Sequence, residues 1–231
     1  PTPLGGVLTA GERIVAGGRR GEVAVPAGTT VVDTAGMSVL PGLMDMHVHL
    51  MILGHADYEY WDKTYMARFR DEIMPIAAKQ LLMSGVTTVR DLGAPLEEIL
   101  HVKKRIAAGE IPGPRLYVSG PFIQHRPYFE YEKFVRWGVD GPDDARAKVQ
   151  KQVEAGGDFI KLIDQEQMTG DEVRAVVETA KKGGKPIVAH AHREEEIRIG
   201  LKYGVDCFEH TGLATSPGYP EDILTGLRKR N

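Results

Sequence analysis

The sequence predicts an α/β fold in which short parallel strands alternate with crossover helices. From residue 39 onward, apolar runs recur at 39–49, 87–91, 116–120, 159–163, 187–190 and 207–210, and the stretches between them carry helical periodicity rather than hairpin turns. Residues 1–38 have a different texture. They are rich in glycine and β-branched residues, with alternating runs such as Glu22-Val23-Ala24-Val25 and Thr30-Val31-Val32-Asp33 between Gly/Pro turns. This predicts the N-terminal part of a small β-sandwich over 1–38, followed by the main domain over 39–231.

The helical stretches justify themselves one by one. Thr169-Gly170-Asp171-Glu172 has capping-box spacing, with a hydroxyl and a carboxylate placed to satisfy the free amides of a first turn. Val173, Val176, Val177 and Ala180 then line one face, and Gly183-Gly184 with Pro186 supplies the stop. Ala145, Val149 and Val153 before Gly156, and Ile197 and Leu201 before Gly204, repeat the pattern, and a last helix is expected over 220–230. A closed barrel of eight strand–helix units takes about 250 residues, roughly 31 per unit. The 189 residues from Leu43 to Asn231 are enough for about six. The barrel is therefore expected to be partial, completed by the remainder of a longer protein or by another polypeptide such as a second copy in a homo-oligomer.

Composition narrows the partners. At 231 residues with 42% apolar content the chain can bury one sizeable core. Twenty-nine basic residues nearly balance 32 acidic ones without a long run of either sign, which argues against nucleic acid or a membrane surface and for a small-molecule substrate. One cysteine, Cys207, excludes an intrachain disulfide framework and suits a reducing cytoplasm. No apolar run reaches the roughly 20 residues of a membrane span. Because the chain opens Pro1-Thr2-Pro3 rather than with methionine, a secreted or periplasmic location stays open.

The chemistry concentrates on histidines at the ends of the expected strands. His47 and His49, at i and i+2, point to the same face of a strand, where two imidazoles can meet one metal ion or sit together in a polar core. The segment Pro41-Gly42-Leu43-Met44-Asp45-Met46-His47-Val48-His49 resembles the first-strand signature of the amidohydrolase superfamily. The chain as a whole resembles its imidazolonepropionase-like and metal-dependent dipeptidase (prolidase-like) branch, from the glycine-rich opening to Asn231.

The resemblance implies a (β/α)8 TIM-type barrel and a metal-dependent hydrolase. Lys161, inside the apolar run Asp158-Phe159-Ile160-Lys161-Leu162-Ile163, is costly to bury unpaired. By resemblance it is a carbamate-forming lysine that bridges two metal ions, while the residues alone also allow a lysine that snorkels out or pairs with a carboxylate. His190 matches the fifth-strand ligand and His210 the sixth. His192 is expected to line the pocket or to orient a ligand. The metal set is then His47, His49, Lys161, His190 and His210, and a divalent ion such as Zn²⁺, one or two, suits imidazole and carbamate donors. The family's general base is an aspartate on an eighth strand. No catalytic residue can therefore be assigned here, and the chain alone is expected to be inactive.

Such a site activates water and polarises a carbonyl, which points to cleavage of an amide-type carbon–nitrogen bond in an N-acyl amino acid, a dipeptide or a cyclic amide. Ten of the sixteen aromatic residues fall at 58–65 and 122–137, in expected strand-to-helix loops. They suggest a pocket for an apolar or aromatic group with His125 as a polar contact, or loops that simply pack their own side chains. A deaminase of the same superfamily, which usually dispenses with the lysine, and a non-catalytic barrel kept for assembly are the rival readings.

Overall fold

The computed structural model describes residues 5–52, 54, 57–128, 133–210 and 218–230, and the chain divides into two compact units, Pro1–Pro41 and Gly42–Asn231. In the first unit, β1 (Gly5–Ala10) and β2 (Arg13–Arg19) form an antiparallel hairpin turned at Gly11, whose φ of 58° suits a residue without Cβ. The alternating runs at 22–25 and 30–33 are not strands. Alternation supplies a face but not a partner, and Val31 and Val32 are 75% and 78% exposed, so neither run finds a third strand to pair with among the described residues.

The second unit follows the expected order. Its strands are β3 (Leu43–Val48), β4 (Val86–Asp91), β5 (Arg115–Val118), β6 (Phe122–Gln124), β7 (Arg136–Gly138), β8 (Ile160–Leu162), β9 (Ile187–His190) and β10 (Cys207–Glu209). Parallel pairing runs β3-β4-β5 in one sheet and β10-β9-β8-β6-β7 in the other. The third barrel position is thus one strand broken at Ser119-Gly120-Pro121: β5 serves β4 and β6 serves β8. Six successive barrel positions result, in chain order, which is a partial parallel barrel. The first strand is shorter than expected, beginning at Leu43 rather than at 39. On β3, Leu43, Met44 and Met46 remain 58%, 70% and 47% exposed.

Helices α1 (Tyr58–Arg68) and α2 (Met74–Met83) are joined by a π-helical turn at Phe69–Ile73. They are followed by α3 (Leu96–Ala107), α4 (Gly141–Ala155), α5 (Gly170–Lys182), α6 (Glu194–Tyr203) and α7 (Glu221–Arg228). The aromatic run at 58–65 is therefore helix rather than loop, with Asp57 accepting from the Tyr60 amide as the cap that starts it. Of the aromatic residues expected at 122–137, Phe129 and Tyr131 lie outside the described residues. Thr169 caps α5 as its spacing predicts: its hydroxyl accepts from the Glu172 amide while Glu172 Oε2 accepts from the Thr169 amide at 2.7 Å.

Apolar faces pack outward from the strands. Ile123, Ile160, Leu162, Ile187 and Ala189 meet Ala145, Val149, Val173, Val176, Val177 and Ala180 of α4 and α5 in one core. A second core joins Val89, Leu116 and Val118 to Ala78, Ile99 and Val102 of α2 and α3. With Ile160 and Leu162 committed to helices, Lys161 between them must face the other way, into the barrel.

Candidate metal centre

Register carries the inward face from strand to strand. Lys161 is paired with Val188 and Val188 with Cys207, while two rungs further along His190 is paired with Glu209. Leu92, Phe159, Val188 and Cys207 form a small apolar cluster of their own. On the same inward faces, toward the carboxyl ends of the strands, lie Lys161, His190, Glu209 and His47, with His49 just past the end of β3.

The structure brings His47, His49, His190, His192 and His210 together. Ring centroids are 5.3 Å apart for His47 and His49, 4.7 Å for His47 and His210, 4.4 Å for His190 and His210, and 4.2 Å for the stacked pair His192 and His210. His210 Nε2 and His190 Nδ1 lie 3.0 Å apart. Nitrogens of His190, His192 and His210 all fall within 4.8 Å of one another, so the exposed His192 reaches the same point as the two expected ligands. Regular alternation would turn His210 away from the side Glu209 faces. His210 instead has φ 65°, a conformation a non-glycine residue adopts at a cost, and its ring rejoins the group.

Lys161 is 1% exposed, and its Nζ has no hydrogen-bond partner among the described residues. Burial pushes its pKa down from 10.5 to about 8, only partly countered by Glu209. Burial likewise lowers His49 and His190 to about 3, and His210 to about 4, with neighbouring histidines and Lys161 adding to the shift. These imidazoles are neutral at physiological pH, the form that donates a lone pair to a metal. An orphaned buried amine amid neutral imidazoles is a donor set that fits a divalent cation.

The surrounding polar groups aim the rings. His49 Nδ1 donates to Gly93 O at 3.1 Å, which leaves Nε2 as its free lone pair. Gly93 is required by close approach, because a Cβ there would stand 2.2 Å from Cζ of Phe122, whose ring lies 5.4 Å from that of His49. Asp91 is fully buried and accepts from the amides of Leu50 (2.8 Å) and Gly93 (3.1 Å), tying the end of β3 to the end of β4, and burial pushes its carboxyl up to about 7. Glu196 accepts from the His192 and Arg193 amides at 2.7 Å, and Gln165 donates to His190 O, so the turn after β9 is held from two sides. Asp164, Glu166 and Glu196 form a second close group of carboxylates, and Arg193 is paired with all three.

His125 lies elsewhere. It follows β6, stands 3.9 Å from Glu172 at the start of α5, and has no ring contact with the histidine group among the described residues. Glu209, Arg90 and Gly93 did not stand out in the sequence as site residues, and Asp91 stood out only as an end-of-strand residue. The signal was present for two of them: Arg90 and Glu209 are charges at inward positions of short strands, as Lys161 is.

Among the described residues no helix is long and apolar enough to cross a membrane. The model of the amidohydrolase family matches residues 38–228. Ochratoxinase of Aspergillus niger is 25% identical over 217 residues, 76% of this chain and 44% of its own length. A functionally uncharacterised protein of Mycobacterium tuberculosis is 25% identical over 213 residues, 85% and 50%. A solved putative prolidase from Bifidobacterium longum is 30% identical with a TM-score of 0.74, covering 94% of this chain and 50% of that one. The chain thus spans about half the length of the curated relatives it matches. With the match extending over most of its sequence, this chain belongs to the amidohydrolase family.

Proposed function

We propose that this chain carries the metal-holding part of a hydrolase that cleaves an amide-type carbon–nitrogen bond, in an N-acyl amino acid, a dipeptide or a cyclic amide. One observation carries the reading: the buried Lys161 amine, which helps to lower the pKa of His49, His190 and His210, has no hydrogen-bond partner among the described residues. An amine with its pKa brought down to about 8 is partly unprotonated near neutrality. Its lone pair can attack the carbon of carbon dioxide, forming an N–C bond and releasing one proton to solvent, and the resulting carbamate anion offers two oxygens.

His47, His49, Lys161, His190 and His210 would hold one or two divalent ions, Zn²⁺ suiting a nitrogen-rich donor set. Such an ion supplies a more acidic water and a polarised scissile carbonyl. The chain's own residues do the rest. Gly93 and Glu209 keep the β3 imidazoles aimed, the buried Phe122 ring shields His49 from solvent, and His192 at the exposed side meets or orients the substrate. His125, with the aromatic residues near β6, is kept as a more distant substrate contact. The names of the relatives, ochratoxinase and prolidase among them, support a hydrolase. A cytoplasmic setting, and a barrel completed by further chain or by a second copy along the exposed β3 edge, go with this reading.

The test is elemental analysis of chain purified without chelator, together with ¹³C NMR after exposure to ¹³C-bicarbonate. Bound divalent metal and a carbamate resonance that disappears in Lys161→Ala are expected. Metal-free protein with an unmodified Lys161 at saturating Zn²⁺ and bicarbonate would overturn the reading. A panel of aliphatic and aromatic N-acyl amino acids tests the pocket through binding, since the 231 residues alone are expected to turn over no amide.

A further inference from the structure

We infer that Glu209, anchored by Arg90, is a positioning residue that sets the tautomer of His47 and so decides whether its Nε2 can ligate; the inference rests on the metal reading above. Glu209 Oε2 lies 2.8 Å from His47 Nδ1, and its other oxygen, Oε1, lies 2.5 Å from an Arg90 guanidinium nitrogen. The carboxylate is only 8% exposed, so water does not substitute for either partner. Arg90 also donates from Nε to Met46 O at 2.9 Å, gripping the backbone one residue before His47. The three residues come from β4, β10 and β3, and β3 and β10 are end strands of separate sheets. The chain of contacts therefore crosses the barrel interior.

The roles follow from which groups can donate. A guanidinium only donates, so Oε1 accepts from Arg90. An ionised carboxylate only accepts, so His47 Nδ1 must carry the proton, and its Nε2 lone pair is left for a cation. The arrangement is the carboxylate–histidine–metal pattern, with an arginine locking the carboxylate from behind. A simple tether between β3 and β10 would need only some hydrogen bond. The assignment to tautomer control needs a particular polarity, and that difference can be measured.

Glu209→Gln keeps the shape and removes the freedom. Arg90 still demands the single amide oxygen, so the NH₂ group faces His47 Nδ1, which must then accept, and the proton moves to Nε2. Removing the anchor as well, in Glu209→Gln/Arg90→Met, lets the amide turn its oxygen toward His47 and restores the original tautomer. The measurement is ¹⁵N-histidine NMR of the metal-free 231-residue chain, paired with Zn²⁺ affinity by competition against a chromophoric chelator.

The expected result is Nδ1–H for His47 in the wild type, Nε2–H in Glu209→Gln with about 10- to 100-fold weaker Zn²⁺ binding, and Nδ1–H again in the double variant. An unchanged tautomer in Glu209→Gln overturns the proposal, as does Zn²⁺ affinity equal to that of the wild type. The tautomers in the metal-free chain are read whether or not Zn²⁺ binds. A wild type that takes up no Zn²⁺ but shows the predicted tautomer switch sinks the metal reading while leaving the hydrogen-bond polarity standing. Because Glu209→Gln is isosteric, its folding is checked by the unchanged NMR shifts of residues away from β3, β4 and β10.

Discussion

Replacing Lys161 with methionine should make the metal-free chain more stable, although the substitution deletes a residue at the centre of the proposed site. Lys161 is 1% exposed, and its pKa is brought from 10.5 down to about 8 mainly by burial. Below pH 8 the group is charged in both folded and unfolded chains, so a shift of that size penalises the fold by about 3 kcal/mol at 1.36 kcal/mol per unit. Methionine fills a similar volume and needs no partner. For a domain of this size about 3 kcal/mol corresponds to roughly 6–12 °C in melting temperature. The sign with pH is fixed as well. A depressed lysine pKa means the wild type regains stability as pH rises from about 8 toward 10.5, so its deficit against Lys161→Met should shrink over that interval. The assay is urea unfolding of both proteins in chelator and carbonate-free buffer at several pH values. A Lys161→Met chain less stable than the wild type at pH 7, or a gap that does not change toward pH 10, would refute the reasoning.

Gly93→Ala should destabilise the fold by about 1–3 kcal/mol, because the new methyl meets the Phe122 ring at 2.2 Å and must displace it from beside His49; thermal melts and the His49 resonance would both report it. Burial raises the Glu172 carboxyl, but hydrogen bonds from the Thr169 and Gly141 amides outweigh that and hold it below its ordinary 4.5. Its contribution should therefore be complete above that value and fade as pH falls through the folded pKa, so the stability advantage of the wild type over Glu172→Gln should narrow only in acid. Chelator should lower the melting temperature of Zn²⁺-loaded wild type, by an amount equivalent to about 2.7 kcal/mol at free metal 100 times the dissociation constant, and should leave His190→Ala unmoved; equal responses would remove His190 from the site.

Six strand segments were legible because each is a short apolar run closed by turn chemistry, and α5 because a capping box, an apolar face and a glycine stop agree with one another; β6 and β7 were not, since they lie within 122–137, expected as a loop. The hairpin unit was read less well. The runs at 22–25 and 30–33 have the alternation of strands, but pairing depends on a neighbour the local pattern cannot specify. The aromatic stretch at 58–65 looked like a loop because its aromatic residues hide helical order; the Asp57 cap was the clue in the sequence.

His47, His49, Lys161, His190 and His210 stand out in the sequence as polar residues at inward or terminal positions of apolar runs, where burial without a purpose would be costly, and the resemblance is what groups them as one candidate ligand set. Their positions on the strands are what the amino-acid order determines. Only the folded chain decides that Glu209 from β10 and Arg90 from β4 reach His47 on β3, that Gly93 leaves room for Phe122, that φ at His210 turns its ring back, and that His125 lies away with Glu172. The physical reason is range. Strand period and capping act over a few residues and are written locally, whereas partners such as Glu209 and His47, 162 residues apart, meet only after parallel strands curve into a common interior.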